Sequence, residues 1–219
     1  MRAELIFQHG TPPDAEYSFK HALVQDAAYS TLLRDRRQQL HGLISATLER
    51  EFSEIVQTRP EVVARHCTEA NLVEKAVGYW LKAGQLALGR MALPEAIAHL
   101  DFGLAILQKL GRSPQRDELE LQVRNALGTA WWARKGWMAE EMVDALKPAL
   151  EIAKVLGQPK AIIQVLWGLW VYYLIRGRVR ESVPLAEEAL RVAQEGDDEA
   201  LLVARCDSCC HAFLARRVD

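Results

Sequence analysis

The residues best suited to chemistry stand in a few places along the chain. Cys206, Cys209, Cys210 and His211 form C-x-x-C-C-H near the carboxyl end. On a helical turn, thiolates at i, i+3 and i+4 share a face and supply part of a metal site. A c-type haem attachment needs C-x-x-C-H, and His211 stands one residue too far from the 206/209 pair. A closed structural site needs four ligands and no second ligand pair lies nearby, so an ordinary terminal helix is favoured over metal or redox-active thiols. No metal is expected.

His21, His41 and His66 invite a catalytic reading. Such a reading needs a nucleophile and an orienting carboxylate within hydrogen-bond reach, and no recognisable triad accompanies them. Interface or capping histidines are the favoured alternative. The RDRR run from Arg34 to Arg37 could contact phosphates, but Asp35 interrupts it and the chain carries 27 Lys plus Arg against 29 Asp plus Glu. A net charge of −2 removes the global basic excess that accompanies nucleic-acid binding, so a solvated helix end or domain contact is expected instead. No catalytic residue is assigned.

Five tryptophans, Trp131, Trp132, Trp137, Trp167 and Trp170, crowd one region. Trp131 and Trp167 stand at helix-packing positions and are expected in the core. Trp132 falls one residue on, toward an open groove. With Gln122, Asn125, Thr129, Leu169 and Tyr172 at comparable positions, it is the candidate lining of a groove for a protein or peptide. The alternative is that these side chains pack against neighbouring helices, as aromatic stripes at helical spacing commonly do.

Helices must position these residues. Half of the residues are hydrophobic and 26% are charged, which excludes a disordered tail and a membrane protein. The longest apolar run, Ala161 to Ile175, is shorter than the about 17–25 residues that span a bilayer. No signal peptide is read at the amino end, and four cysteines crowded in this way do not form an extracellular framework, so a cytoplasmic location is expected. Pro12, Pro13 and Asp14 mark a turn-rich start, and FKHALVQDAAYSTLL follows at helical spacing. Next, Leu40, Leu43, Ile44, Thr47 and Leu48 describe one apolar face. Pro60 opens a third helix, where a missing amide proton costs nothing, and Asn71 is expected to cap the next.

From about Val73 the pattern repeats. Trp80 with Gly84 is followed by Ala96, Leu100 and Gly103; Leu127 with Gly128 by Leu146, Ala149 and Leu150; Trp167 with Gly168 by Ala189 and Leu190. Each marker glycine is expected to let the two helices of its hairpin approach closely while a large residue fills the groove beside it. The reading is all-α: helix hairpins stacked as a tetratricopeptide-like right-handed solenoid, with first helices lining the concave side. A fourth unit begins near Glu199 and stops after one helix. Its apolar side, with Leu201, Leu202, Phe213 and Leu214, is expected to favour self-association.

YSFKHALVQDAAYSTLLRDRRQQLHGLISATLEREF, followed by PEVVARHCTEANLVEKAVGYWLKAG, resembles a segment of large bacterial signalling ATPases. These proteins join a class III adenylate/guanylate cyclase domain to a STAND-type AAA ATPase and a C-terminal tetratricopeptide array. FKHALVQDAAY, the R-x-x-LH element from Arg37 to His41, and ARHCTEA before KAVGYWLKAG carry the likeness, which extends to about Ala204. It implies that residues 1–58 are a helical remnant of the ATPase module's winged-helix-like C-terminal subdomain. Residues 59–219 are then a repeat array whose last repeat is incomplete. The ending CDSCCHAFLARRVD departs from the family's repeat wording, as a truncated or frameshifted reading frame would. The chain holds no G-x-x-x-x-G-K-[ST] phosphate loop and no cyclase aspartates, so neither enzymatic activity nor a cofactor is expected of it. The implied role is non-catalytic protein interaction or signal sensing. In the intact protein its partners would include the upstream ATPase and cyclase domains. The alternative is a nucleic-acid-binding segment of a transcriptional regulator built on a STAND ATPase, distinguished by salt-dependent binding.

Overall fold

A computed structural model describes residues 5–12 and 15–195. Cys206, Cys209, Cys210, His211 and the apolar side expected of the fourth unit lie outside the described residues. The chain is an all-α array preceded by a short ribbon. Strands β1 (Ile6–His9) and β2 (Glu16–Phe19) pair antiparallel, with Ile6 opposite Phe19 and His9 opposite Glu16. The turn-rich stretch is therefore the connection of a hairpin, which the sequence reading did not anticipate.

Helices α1 (Ala22–Thr31), α2 (Arg34–Glu51) and α3 (Ser53–Thr58) lead into α4 (Pro60–Glu69). The face expected on α2 is corrected here. Leu43 and Ile44 are exposed, and the side turned inward runs through His41, Ser45 and Leu48, the i, i+4, i+7 stripe that meets α4. Ser45 is buried beside Cys67, its hydroxyl donating to the Gly42 carbonyl at 2.9 Å. Asn71 sits in the left-handed region at φ 58° between α4 and α5, and the residue before α5 is Leu72, which offers no side-chain cap.

Three hairpins follow: α5 (Val73–Gly89) with α6 (Leu93–Leu107), α7 (Pro114–Lys135) with α8 (Glu140–Leu156), and α9 (Pro159–Ile175) with α10 (Val179–Glu195). Each helix packs against the next, and α5 also reaches α7 across α6. Proline in the first turn starts α4, α6, α7 and α9, where its fixed φ suits the helix and its missing N–H breaks no bond. Ser113 caps α7 by accepting from the Arg116 amide at 3.1 Å. One apolar cluster runs from α4 into α8 around Trp80 and Leu100; a second runs from α7 to α10 around Leu166 and Met142, and half-buried Trp131 touches both. On α7, buried Asp117 and Glu120 are held by Arg116 and Arg124, so the charges withdrawn from water are paired.

The marker glycines mark close approaches, with one change of partner. A Cβ on Gly84 would lie 2.5 Å from Leu100 Cγ, and one on Gly128 2.7 Å from Leu146 Cδ2, each in its own hairpin. On Gly168 it would lie 2.8 Å from Leu146 Cδ1, in the preceding hairpin. Helix α9 is thus turned about its axis relative to α5 and α7. Leu146 is the wedge between two first helices.

Candidate functional site

The wedge leaves a groove between α7 and α9. On α7 its wall is Asn125, Thr129 and Trp132, spaced i, i+4, i+7; on α9 it is Gln164, Trp167 and Gly168. Gly136 ends α7 at φ 79°, a conformation glycine adopts freely, and its amide donates to the Trp132 carbonyl at 2.7 Å. That turn sends Trp137 back into the groove. Its ring centroid lies 5.0 Å from that of Trp132 and 5.0 Å edge-to-face from that of Trp167. With Leu146 and Met142 as floor, the groove encloses about 230 Å³.

The groove is mostly apolar, with three polar side chains at its wall. Thr129 donates to the Asn125 carbonyl at 3.0 Å. The Asn125 Oδ1 atom is buried without a hydrogen-bond partner, and an acceptor in that state favours a donor brought by a ligand. Trp132 is 40% exposed and Trp167 42% exposed, so both indoles offer surface. Polar links tie the surrounding helices together: Gln158 donates to Glu118, Lys154 pairs with Glu188 at 2.8 Å, and Arg176 reaches Glu140 at 3.2 Å and the Met138 carbonyl at 3.1 Å.

Of the six residues expected to line a groove, Asn125, Thr129 and Trp132 do so. Gln122 is exposed one turn earlier and donates to Glu118 at 3.0 Å. Leu169 and Tyr172 are corrected: they are 2% and 5% exposed and belong to the core of α7 to α10. Trp167, expected in the core, faces the groove. The rotation of α9 explains all three. Aligning Gly168 with Gly128 placed the open face two residues away from Trp167, on the opposite side of the helix.

A second place gathers titratable groups. Tyr29 of α1, His41 of α2 and His66 and Glu69 of α4 line a cavity of about 920 Å³, closed on the α6 side by His99 and Phe102. His41 Nδ1 lies 2.8 Å from His66 Nδ1, and Tyr29 Oη lies 3.1 Å from His41 Nε2 and 3.4 Å from a Glu69 oxygen. Burial pushes His66 down, a charge on His41 adds to this, and Glu69 opposes it. Burial also lowers His99. The nearby hydroxyl of Thr68 donates to the Ala64 carbonyl and accepts from the Trp80 indole, and burial raises the Cys67 thiol, so neither is an activated nucleophile. His21 precedes α1 without a side-chain cap bond. Arg37 lies over the Tyr29 ring at 5.1 Å. Among the described residues, no group of three or more His, Cys, Asp or Glu could hold a metal ion, and no helix is long and apolar enough to cross a membrane.

No protein-family model matches the sequence. The chain is similar to an uncharacterized protein of Rhizobium meliloti (strain 1021), 27% identical over 162 residues. The match takes in 73% of this chain and 16% of the relative, so the chain spans about a sixth of that protein's length.

Proposed function

We propose that this chain is a non-catalytic interaction segment whose groove between α7 and α9 holds an apolar side chain of an extended peptide in a protein partner. The observation that carries the reading is the set of Trp132, Trp137 and Trp167 around one cavity, with the unpartnered Asn125 oxygen at its wall. Tryptophan supplies large contact area at small conformational cost and is over-represented among the residues that dominate binding energy. The orphan acceptor suits a peptide N–H, which would fix the peptide's direction while the indoles hold its anchor.

The likeness to bacterial cyclase and STAND ATPase proteins supports a signalling setting. There the groove would sense a protein signal, and tetratricopeptide-like stacking would pass the bound state toward ATPase and cyclase modules in a longer, cytoplasmic protein. Selection of random displayed peptides on the full chain tests the groove. Selected peptides should share an aromatic or large aliphatic anchor, and Trp132→Ala should weaken them by about 30-fold or more, the size expected of a dominant contact. Peptides that bind Trp132→Ala and Trp167→Ala as tightly as the unaltered chain would contradict this reading.

A further inference from the structure

We propose that Tyr29, His41, His66 and Glu69 form a proton-operated latch that fastens the N-terminal helices to the repeat array and releases them when both histidines are protonated. This goes beyond peptide binding and does not rest on it. The three links run across α1, α2 and α4. One proton order satisfies all of them: His66 Nδ1–H donates to His41 Nδ1, His41 Nε2–H to the Tyr29 oxygen, and the Tyr29 hydroxyl to the Glu69 carboxylate. The reverse order leaves Tyr29 and Glu69 with no hydrogen between them.

This order keeps its hydrogen bonds on taking one extra proton, because a His66 imidazolium still donates from Nδ1. A second proton must enter the Nδ1 position of His41. Two N–H groups and two positive charges then face each other where 2.8 Å allows a single shared hydrogen. Arg37 on α2, Arg65 and Glu69 on α4, Glu95 and Lys109 on α6 and the uncharged Trp80 on α5 are the groups that face the pair, and of these Glu69 favours a charge on His66. His99 faces the same cavity from α6. Burial, with a charge on His41 adding to it, lowers the affinity of His66 for a proton, so the folded arrangement is fully favoured above the ordinary histidine range and loses stability as pH falls below it; the second proton then breaks the contact. Helix α1 has no buried residue and α2 has one, Ser45, so polar links carry an unusual share of their attachment.

Amide hydrogen exchange of the full chain, corrected for intrinsic rates, tests the latch between about pH 7.5 and about pH 5. Protection in α1 and the first half of α2 should fall by up to about tenfold per pH unit for each proton taken up on opening, while α5 to α9 stay unchanged. His66→Asn and His41→Asn place a neutral amide near the Nδ1 position and should flatten the profile. An unchanged wild-type profile overturns the proposal without reference to any variant. So does an equal loss in both variants, which would assign the effect to His99 or the carboxylates.

Discussion

Gly78 and Gly84 share α5 yet meet opposite surroundings. A Cβ on Gly78 meets nothing within 4 Å, whereas one on Gly84 meets the middle of the fully buried Leu100 side chain at 2.5 Å. Gly78→Ala should therefore stabilise the chain by about 0.5–1 kcal/mol through helix propensity. Gly84→Ala should destabilise it by about 1–3 kcal/mol through overpacking. Urea midpoints should move in opposite directions, and movement in one direction would mean the close approach is misplaced. Tyr79 gives a second prediction at this scale. Burial, and then its hydrogen bond to Glu49 at 2.9 Å, push its phenol from 10.0 to about 12. Because the folded state holds that proton more tightly, this contribution to stability is complete below pH 10.0 and is lost as pH rises toward about 12. A tyrosinate absorbance titration should show a late step that Tyr79→Phe removes.

Leu146 sets the relation of two elements. It touches Gly128 and Gly168 at once and forms the groove floor, so Leu146→Ala should cost about 2–5 kcal/mol in denaturant unfolding. It should also weaken selected peptides. A loss confined to stability, with binding kept, would separate the wedge from the groove. The start of α4 was legible because Pro60 announces it. The rotation of α9 was not. PKAIIQVLWGLWVYYLI is apolar on nearly every side, so periodicity cannot say which side faces solvent, and the marker glycine was given the same partner in each repeat. On α2, leucine and isoleucine outweighed His41 and Ser45 in the sequence pattern, although close contact with α4 favours the smaller and polar side.

Over the whole molecule, the stacked hairpins were legible because small and large residues recur at spacings that helix pairs require. The ribbon was hidden because strands of four exposed residues leave almost no alternation to read. The histidine pair was hidden for a different reason: His41 and His66 are 25 residues apart on separate helices, and tertiary packing alone brings their rings together. The groove lies between these cases, with Trp132 predicted from its repeat position and Trp137 supplied by the Gly136 turn. On the proposed function, this groove, formed by two hairpins at once, is where the molecule meets its partner. The most direct test follows the indole N–H resonances of the six tryptophans while a selected peptide is added to the full chain. Trp132, Trp137 and Trp167 should shift and show cross-peaks to one apolar peptide side chain, with Trp80 unmoved. Shifts at Trp80 and the histidine cavity, with those three unchanged, would contradict it.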